Sequence, residues 1–172
     1  NDNFEENEKV KVGVCNYPDY PFLVTRVEGM LDALKELAPN ANVEVTAKAG
    51  YTPEGVDVGD AWVQSNKDLN VVVGINDAGV LGVYESFKSA GIKNDKLGMF
   101  GGDAVDDALA AIEEGGAFKA TVSTNMLKNA NYFIDMAVEL AKNGKLEERE
   151  KLFPLEGITA DNVAEYKKSI EE

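Results

Sequence analysis

Hydrophobic residues recur along the chain in two alternating patterns. Short runs rich in β-branched residues predict strands, and longer segments with apolar residues three and four positions apart predict helices. Val10–Cys15 shows the first pattern, and Phe22–Leu37 shows the second, with Val27, Leu31 and Leu34 on one face. The pair of patterns then repeats four more times. Five such units predict an α/β fold with a doubly wound parallel sheet, either Rossmann-like or flavodoxin-like.

The element boundaries follow from the same patterns. The predicted strands are Val10–Cys15, Val43–Ala47, Val71–Ile75, Lys96–Phe100 and Phe118–Ser123. The predicted helices are Phe22–Leu37, Glu54–Ser65, Ala78–Ala90, Ala104–Glu114 and Met126–Lys142. Val71–Ile75 has no polar alternation, which is typical of a strand with helices over both faces. Beyond residue 143 the pattern predicts a short extended piece, Leu152–Leu155, and a last helix, Asp161–Ile170.

Composition and charge disfavour several classes of function. The chain has 172 residues, with 17 Lys and Arg against 31 Asp and Glu, and its formal net charge is −14. Nucleic acid is an unsuitable partner, because affinity for phosphate backbones comes largely from Lys and Arg. The chain has no histidine, the side chain most used in acid–base catalysis and a frequent zinc ligand. We therefore expect a protein that is not an enzyme and that holds neither a cofactor nor a metal.

The loops after the strands hold the candidate binding residues, because ligands of doubly wound sheets lie beyond the carboxyl ends of the strands. The candidates, in chain order, are Tyr17, Arg26, Tyr51, Asn76, Asp103 and Thr124. Aromatic rings cover the apolar C–H patches of a sugar, while carboxylate, amide and guanidinium groups pair with its neighbouring hydroxyls. This mixture of side chains is typical of carbohydrate recognition.

Two acidic residues and two core candidates also have structural interpretations. Asp103 is predicted to cap the fourth helix, which is compatible with ligand contact, and Asp77 is predicted to cap the third. Trp62 and Cys15 are expected in the core, and a single cysteine cannot form an internal disulfide.

Five short motifs occur in the order and at the separations of one known family. They are Thr25–Met30, Asn76–Gly82, Phe100–Ile112, Ala120–Val122 and Ile158–Val163. From about Val10 to Tyr166, the sequence resembles the C-terminal lobe of a ribose/galactose-type periplasmic sugar-binding protein. This is a type I periplasmic binding protein, whose fold is shared with lac-repressor-type effector domains. The resemblance implies that Arg26, Asn76 and Asp103 face a monosaccharide, over which two lobes close by a hinge motion.

The sequence departs from this family in two places that concern function. A Gln that contacts sugar commonly follows the fifth strand, where this chain has Thr124 and Asn125. Nearly the whole N-terminal lobe is also missing. The resemblance implies that the partners are a small-molecule sugar, the missing N-terminal lobe and an ABC permease. It further implies a periplasmic or extracellular location, with or without a lipoprotein anchor.

Two other classes of function stay open. A sugar-sensing module of a transcriptional regulator or membrane receptor would use the same residues. A small flavodoxin-like enzyme or receiver-like domain is the other alternative. The absence of a phosphate-binding glycine loop disfavours it, since Gly101-Gly102 lacks the third glycine of a dinucleotide fingerprint.

The chain is expected to consist of an acidic flexible tail at 1–9, a binding lobe at 10–124, and a segment at 125–172 packed on the same lobe. The helix Met126–Lys142 carries an apolar stripe that includes Leu127, Phe133 and Ile134. In the family that the sequence resembles, this helix packs on the lobe that is missing here. We expect it to fold back over its own sheet in a monomer, with a homodimer formed by segment exchange as the alternative.

Overall fold

The computed structural model describes residues 8–92, 95–148, 150 and 152–171, without the side chains of Leu127 and Glu171. Most of the expected acidic tail and the Leu127 side chain therefore lie outside the described residues. The strands are β1 (Val10–Asn16), β2 (Ala41–Lys48), β3 (Val71–Gly74), β4 (Gly98–Phe100), β5 (Phe118–Ser123) and β6 (Glu156–Thr159). The helices are α1 (Pro21–Leu37), α2 (Thr52–Ser65), α3 (Asp77–Ser89), α4 (Asp106–Glu113), α5 (Met126–Asn143) and α6 (Val163–Glu171).

The strands form one sheet in the order β2-β1-β3-β4-β5-β6. The first five strands are parallel, and β6 runs antiparallel to β5 at the edge. The chain moves from β1 to one side for β2 and to the other side for β3, so the strand order reverses beside β1. The predicted doubly wound α/β fold is confirmed.

The last strand lies later in the sequence than the extended piece predicted at Leu152–Leu155. Leu152 and Leu155 are exposed, whereas Ile158 is fully buried against the core. β6 places this isoleucine inward, with Thr121 as the neighbour of Ile158 on β5. Burial of Ile158 therefore sets the position of the strand.

The larger core lies on one face of the sheet, beneath α2, α3, α4 and α6. Trp62, Met99 and Phe118 are buried there, together with Cys15. The core positions expected for Trp62 and Cys15 are confirmed. Burial raises the pKa of the Cys15 thiol to about 12, so the thiol stays protonated. Among the helices that the structure describes, none combines the length and apolar character needed to cross a membrane.

The opposite face of the sheet is only partly covered. There α1 packs Val27, Leu31 and Leu34 over the buried valines of β1. Beyond α1 lies a groove of about 890 Å³, here called the sheet-face groove, whose lining includes Leu37, Val73, Phe100 and Lys119. Helices were expected over both faces of β3, and on this face that expectation is wrong. The groove leaves Val71 and Val73 only half-buried.

Helix α5 leaves the sheet at the end of β5 instead of lying over it. Phe133, Ile134 and Val138 are exposed. Tyr132 packs edge-on against Phe153 in the returning segment, with 5.5 Å between ring centroids. The expectation that α5 folds back over its own sheet is therefore wrong in this structure. By contrast, β6 pairs with β5 and α6 contacts α4.

The turn before α5 gives the physical reason for its direction. Asn125 has a left-handed φ of 53°, and its Nδ2 donates to the carbonyl of Pro154 at 2.8 Å. Asn129 Nδ2 donates to the carbonyl of Thr124 at 2.8 Å. The bond to Pro154 holds the start of α5 against the returning segment, away from the sheet face, and the bond from Asn129 ties the first turn of the helix to Thr124.

Candidate binding site

Arg26 and Asp103 meet at the carboxyl edge of the sheet. Arg26 Nη1 lies 3.3 Å from Asp103 Oδ1 and donates to the carbonyl of Ile75 at 2.8 Å. Both side chains remain partly open to solvent, with exposed fractions of 40% for Arg26 and 30% for Asp103. The carboxyl-edge rule predicts that these two residues share one cleft, and their placement is confirmed. Their role towards a ligand stays a prediction.

Asp103 sits in an unusual backbone conformation. Its φ is 107°, and that of Ala104 is 57°, so two consecutive residues other than glycine adopt positive φ. Such backbone strain persists only where surrounding contacts impose it. Asp103 was expected to cap α4, and that expectation is wrong, because the helix begins at Asp106 with Val105 as its N-cap. The turn before α4 thus directs the Asp103 carboxylate towards Arg26 and away from the helix.

A buried carboxylate beneath this loop was missed as a site residue by sequence reasoning. Asp77 is fully buried, and it accepts bonds from the Thr121 hydroxyl at 2.6 Å and from the Val105 N–H at 3.0 Å. The N–H of Ala104 donates to the Thr121 hydroxyl at 3.2 Å. Burial raises the pKa of Asp77 to about 6, although both accepted bonds act in the opposite direction. Asp77 therefore holds the loop that carries Asp103.

Asn76, not Asp77, caps α3. Its Oδ1 accepts from the N–H of Gly79 at 3.0 Å, and its Nδ2 donates to the carbonyl of Gly50 at 2.8 Å. The predicted cap at Asp77 is wrong because the Asp77 side chain turns inward to Thr121. An amide has two N–H groups and two acceptor positions, so these two bonds use only one of each in Asn76.

Three tyrosines form an aromatic cluster beside these polar groups. The rings of Tyr17 and Tyr20 stack with centroids 5.5 Å apart, and the Tyr51 ring stands perpendicular to Tyr17 at 5.7 Å. Lys48 Nζ lies 4.4 Å from the centre of the Tyr17 ring. A cavity of about 80 Å³ lies between this cluster and Asn76. Tyr17 and Tyr51 thus lie beside Asn76 as expected. Tyr20 was missed, although its loop was already a candidate.

Thr124 also lies at the carboxyl edge, directly after β5. Its backbone carbonyl accepts from Asn129, and no described contact joins its side chain to Arg26 or Asp103. The structure thus brings together five of the six candidates and leaves Thr124 beside them without a described role. In the part of the chain that the structure describes, no three His, Cys, Asp or Glu side chains are grouped to hold a metal ion.

The strand order of the sheet reverses beside β1, and polar and aromatic side chains lie at the carboxyl edge near this point. Doubly wound α/β folds bind ligands at such places. The sequence profile of the periplasmic binding protein domain matches residues 7–146. The chain therefore belongs to the periplasmic binding protein domain family.

Named relatives agree with this family. A Rhizobium meliloti protein, provisionally named a rhizopine-binding protein, is 32% identical over 113 residues, which are 66% of this chain and 36% of that protein. The D-galactose/methyl-galactoside binding periplasmic protein MglB of Haemophilus influenzae is 30% identical in an alignment 119 residues long, gaps included, which covers 63% of this chain and 35% of that protein. The chain therefore spans little more than a third of the length of these relatives.

Solved structures share the fold. The myo-inositol binding protein of Caulobacter superposes with a TM-score of 0.81 at 26% identity, over 95% of this chain and 56% of that one. An ABC transporter solute binding protein from Bacillus halodurans superposes with a TM-score of 0.83 at 24% identity, over 93% of this chain and 55% of that one. The described fold thus matches little more than half of each of these solved chains.

Proposed function

We propose that this chain binds a monosaccharide or similar cyclic polyol at its carboxyl edge, without catalysis. The observation that carries the proposal is the partly exposed Arg26–Asp103 pair, which stands at the edge that also holds the tyrosine cluster. In this proposal the chain is one half of a solute-binding protein that delivers its ligand to an ABC importer. Its location is then periplasmic or extracellular, and its further partners are the missing lobe and the permease.

The polar groups suit a pair of neighbouring hydroxyls. Both described bonds of Arg26 use Nη1, so Nη2 and Nε remain to donate. The Asp103 carboxylate only accepts, since an ionised carboxylate has no proton to donate. One hydroxyl of the ligand can accept a hydrogen bond from the Arg26 guanidinium, while the adjacent hydroxyl donates one to the Asp103 carboxylate. Hydrogen bonds to charged groups are also about twice as strong as neutral ones, which favours an arrangement of this kind.

The aromatic groups suit the other surface of such a ligand. A pyranose or cyclitol carries C–H groups on its ring face, and an aromatic ring covers them at little entropic cost. Tyr51 is exposed at the start of α2, and the small cavity beside it opens towards Asn76. A ring placed there would reach both the tyrosines and the remaining amide groups of Asn76.

The names of the relatives support the ligand class. One is named for D-galactose and methyl-galactoside, and two solved relatives are named for, or hold, myo-inositol. These ligands share a six-membered ring with several adjacent hydroxyls. Because one lobe supplies only one wall of a closed cleft, we expect dissociation constants of about a millimolar, which corresponds to roughly −4 kcal/mol of binding free energy.

Chemical-shift titration by NMR tests the proposal at this affinity. The isotope-labelled chain is titrated with D-galactose, D-ribose, D-allose and myo-inositol, and glycerol serves as the acyclic control. We expect saturable shifts at the amides of Gly101–Asp103 and at the Arg26 side chain with at least one cyclic ligand. Asp103→Ala should weaken binding by about 10-fold or more, because it removes a hydrogen bond to a charged group.

Asp107→Ala is the matched control, since Asp107 is an exposed carboxylate on the first turn of α4. It should leave the titration unchanged. Absence of saturable shifts with every cyclic ligand would contradict the proposal, and so would an Asp103→Ala variant that binds as well as the original chain.

A further inference from the structure

The buried carboxylate of Asp77 joins β5 to the turn that carries Asp103. Its Oδ1 accepts a hydrogen bond from the Thr121 hydroxyl at 2.6 Å, and its Oδ2 accepts one from the N–H of Val105 at 3.0 Å. The Thr121 oxygen in turn accepts from the N–H of Ala104 at 3.2 Å. Each carboxylate oxygen thus faces a donor, which suits an ionised carboxylate, since this form only accepts.

We propose that Asp77 is a positioning residue of the binding site, and that its ionised form is the one that holds Asp103 in place for a ligand. A proton on Oδ2 would face the N–H of Val105, so two donors would oppose each other and this bond would be lost. A proton on Oδ1 would face the Thr121 oxygen, so the hydrogen of that hydroxyl would lose its acceptor. Protonation at either oxygen therefore breaks part of the network beneath the turn.

The turn is strained, so its direction depends on this network. Asp103 and Ala104 have φ values of 107° and 57°, and such strain persists only where surrounding contacts impose it. The N–H of Asp103 donates to the carbonyl of Val122 at 2.8 Å, a bond that does not involve Asp77. Protonation therefore leaves the turn at the sheet edge but lets its backbone relax, and the Asp103 carboxylate moves relative to Arg26.

The surroundings of Asp77 place its ionisation in an accessible pH range. Burial is the main cause that raises its pKa to about 6, and the negative charge of Asp103 acts in the same direction. The group that faces it from β5 is the uncharged Thr121 hydroxyl. Arg26, on α1, lies 3.3 Å from Asp103 and partly balances the charge of that carboxylate.

The consequence for binding is an affinity that falls in acid. Because a ligand at Asp103 prefers the ionised form of Asp77, the bound ligand in turn lowers the pKa of Asp77. This consequence rests on the proposed function, whereas the positioning of Asp103 by Asp77 does not. Acid also stabilises the fold in this range, since the pKa of Asp77 lies above its ordinary value of 3.8. Weaker binding in acid is therefore distinct from unfolding.

NMR of the 172-residue chain without sugar tests the positioning. Carbon-detected spectra follow the ionisation of Asp77, and nuclear Overhauser contacts between the Arg26 side chain and the Hβ protons of Asp103 follow the geometry. We expect these contacts at pH 8 and their weakening towards pH 5, with the midpoint of the Asp77 titration. In Asp77→Asn they should be weak at both pH values.

Asp107→Asn is the matched control, because Asp107 is an exposed carboxylate on the first turn of α4. It should keep the pH dependence of the original chain. Contacts between Arg26 and Asp103 that are equally strong at pH 5 and pH 8 would overturn the inference, whether or not a sugar binds.

Titration with D-galactose and myo-inositol at pH 5 and pH 8 tests the consequence for binding. One pH unit below its pKa, about one Asp77 in ten is ionised, so the dissociation constant at pH 5 should be about 10-fold higher than at pH 8. Asp77→Asn should raise the dissociation constant at pH 8 by at least about 10-fold and remove its pH dependence. Circular dichroism spectra that match the original chain confirm that this variant is folded.

Two substitutions of Thr121 test the same network with Asp77 intact. Thr121→Val removes the hydroxyl and should weaken binding at pH 8 by about 2- to 10-fold. Thr121→Ser keeps the hydroxyl and should restore the original affinity. Equal losses in both variants would overturn the inference, and so would binding that does not change between pH 5 and pH 8. Absence of binding by every cyclic ligand would contradict the proposed function alone, because the sugar-free measurement still decides the positioning.

Discussion

The Thr121 hydroxyl donates a hydrogen bond to Asp77 Oδ1 over 2.6 Å, and both side chains are buried. The N–H groups of Ala104 and Val105 donate to the same two side chains. This pair therefore anchors the strained turn that presents Asp103 to Arg26. The geometry of the candidate site therefore depends on a carboxylate that is itself fully buried.

The first prediction concerns the pH dependence of stability. Because the pKa of Asp77 is about 6 in the folded chain against an ordinary value of 3.8, the folded state binds more protons between these values. The free energy of unfolding should therefore fall as the pH rises from about 4 to about 6, and it should level off at higher pH. The Asp77 contribution is up to about 3 kcal/mol. Asp77→Asn imitates the protonated carboxyl and should remove this part of the slope.

Urea unfolding at pH 4.5 and pH 8 measures the effect in the original chain and in Asp77→Asn. The exposed Asp107→Asn serves as the matched control and should keep the original slope. Identical slopes for Asp77→Asn and the original chain would show that Asp77 titrates as an ordinary carboxyl.

The second prediction concerns the partner of Asp77. Thr121→Val keeps the shape of the side chain but removes the donor to Asp77 and the acceptor of the Ala104 N–H. It should raise the pKa of Asp77 further, because hydroxyl donation favours the ionised form. It should also lower the free energy of unfolding by about 1–3 kcal/mol. Carbon-detected NMR of the carboxyl group follows the first effect, and urea unfolding at pH 8 follows the second.

Thr46→Val is the control for this substitution, since Thr46 is exposed on β2 and a valine suits a strand. An unchanged pKa of Asp77 in Thr121→Val would mean that the hydroxyl does not contribute to the ionised state.

The third prediction concerns the backbone strain beside Asp103. Ala104 has a φ of 57°, a conformation that costs an L-residue roughly 1–2 kcal/mol and glycine almost nothing. Replacing Ala104 with glycine removes this cost, but part of the stabilisation is lost because glycine has more conformational freedom in the unfolded chain. Ala104→Gly should therefore stabilise the protein by up to about 1 kcal/mol. Ala110→Gly on the exposed side of α4 should instead destabilise it by about 1 kcal/mol. Thermal or urea unfolding of both variants measures whether each substitution raises or lowers the free energy of unfolding. A loss of stability in Ala104→Gly would show that the backbone at Ala104 is not strained.

The fourth prediction concerns the close approach of α2 and α3. A Cβ atom on Gly55 would lie within 2.1 Å of the Gly79 carbonyl oxygen, so Gly55→Ala must push the helices apart. The expected loss is about 1–3 kcal/mol. Gly29 in α1 has no atom within 4 Å of such a Cβ, and Gly29→Ala should stabilise the chain by about 0.5–1 kcal/mol through helix propensity. Urea unfolding distinguishes the two, and equal effects would contradict this packing argument.

Some of the candidate site could be predicted from sequence because its residues follow strands. Arg26 and Asp103 lie 77 positions apart, yet the carboxyl-edge rule places them together, and they meet. Asp77 could not be predicted in the same way. Asn76 and Asp77 are both plausible caps by local pattern, and the choice depends on Thr121, a residue 44 positions later that takes one of them inward.

The sequence by itself determined the succession of strands and helices, because the spacing of apolar residues is a local property that packing only reinforces. Only the tertiary structure decided which surfaces remain uncovered. The stripe on α5 shows that an apolar face exists, but not what covers it. The turn at Asn125 and its bond to Pro154 direct that face away from its own sheet. Such contacts join distant parts of the chain, so no local pattern encodes them.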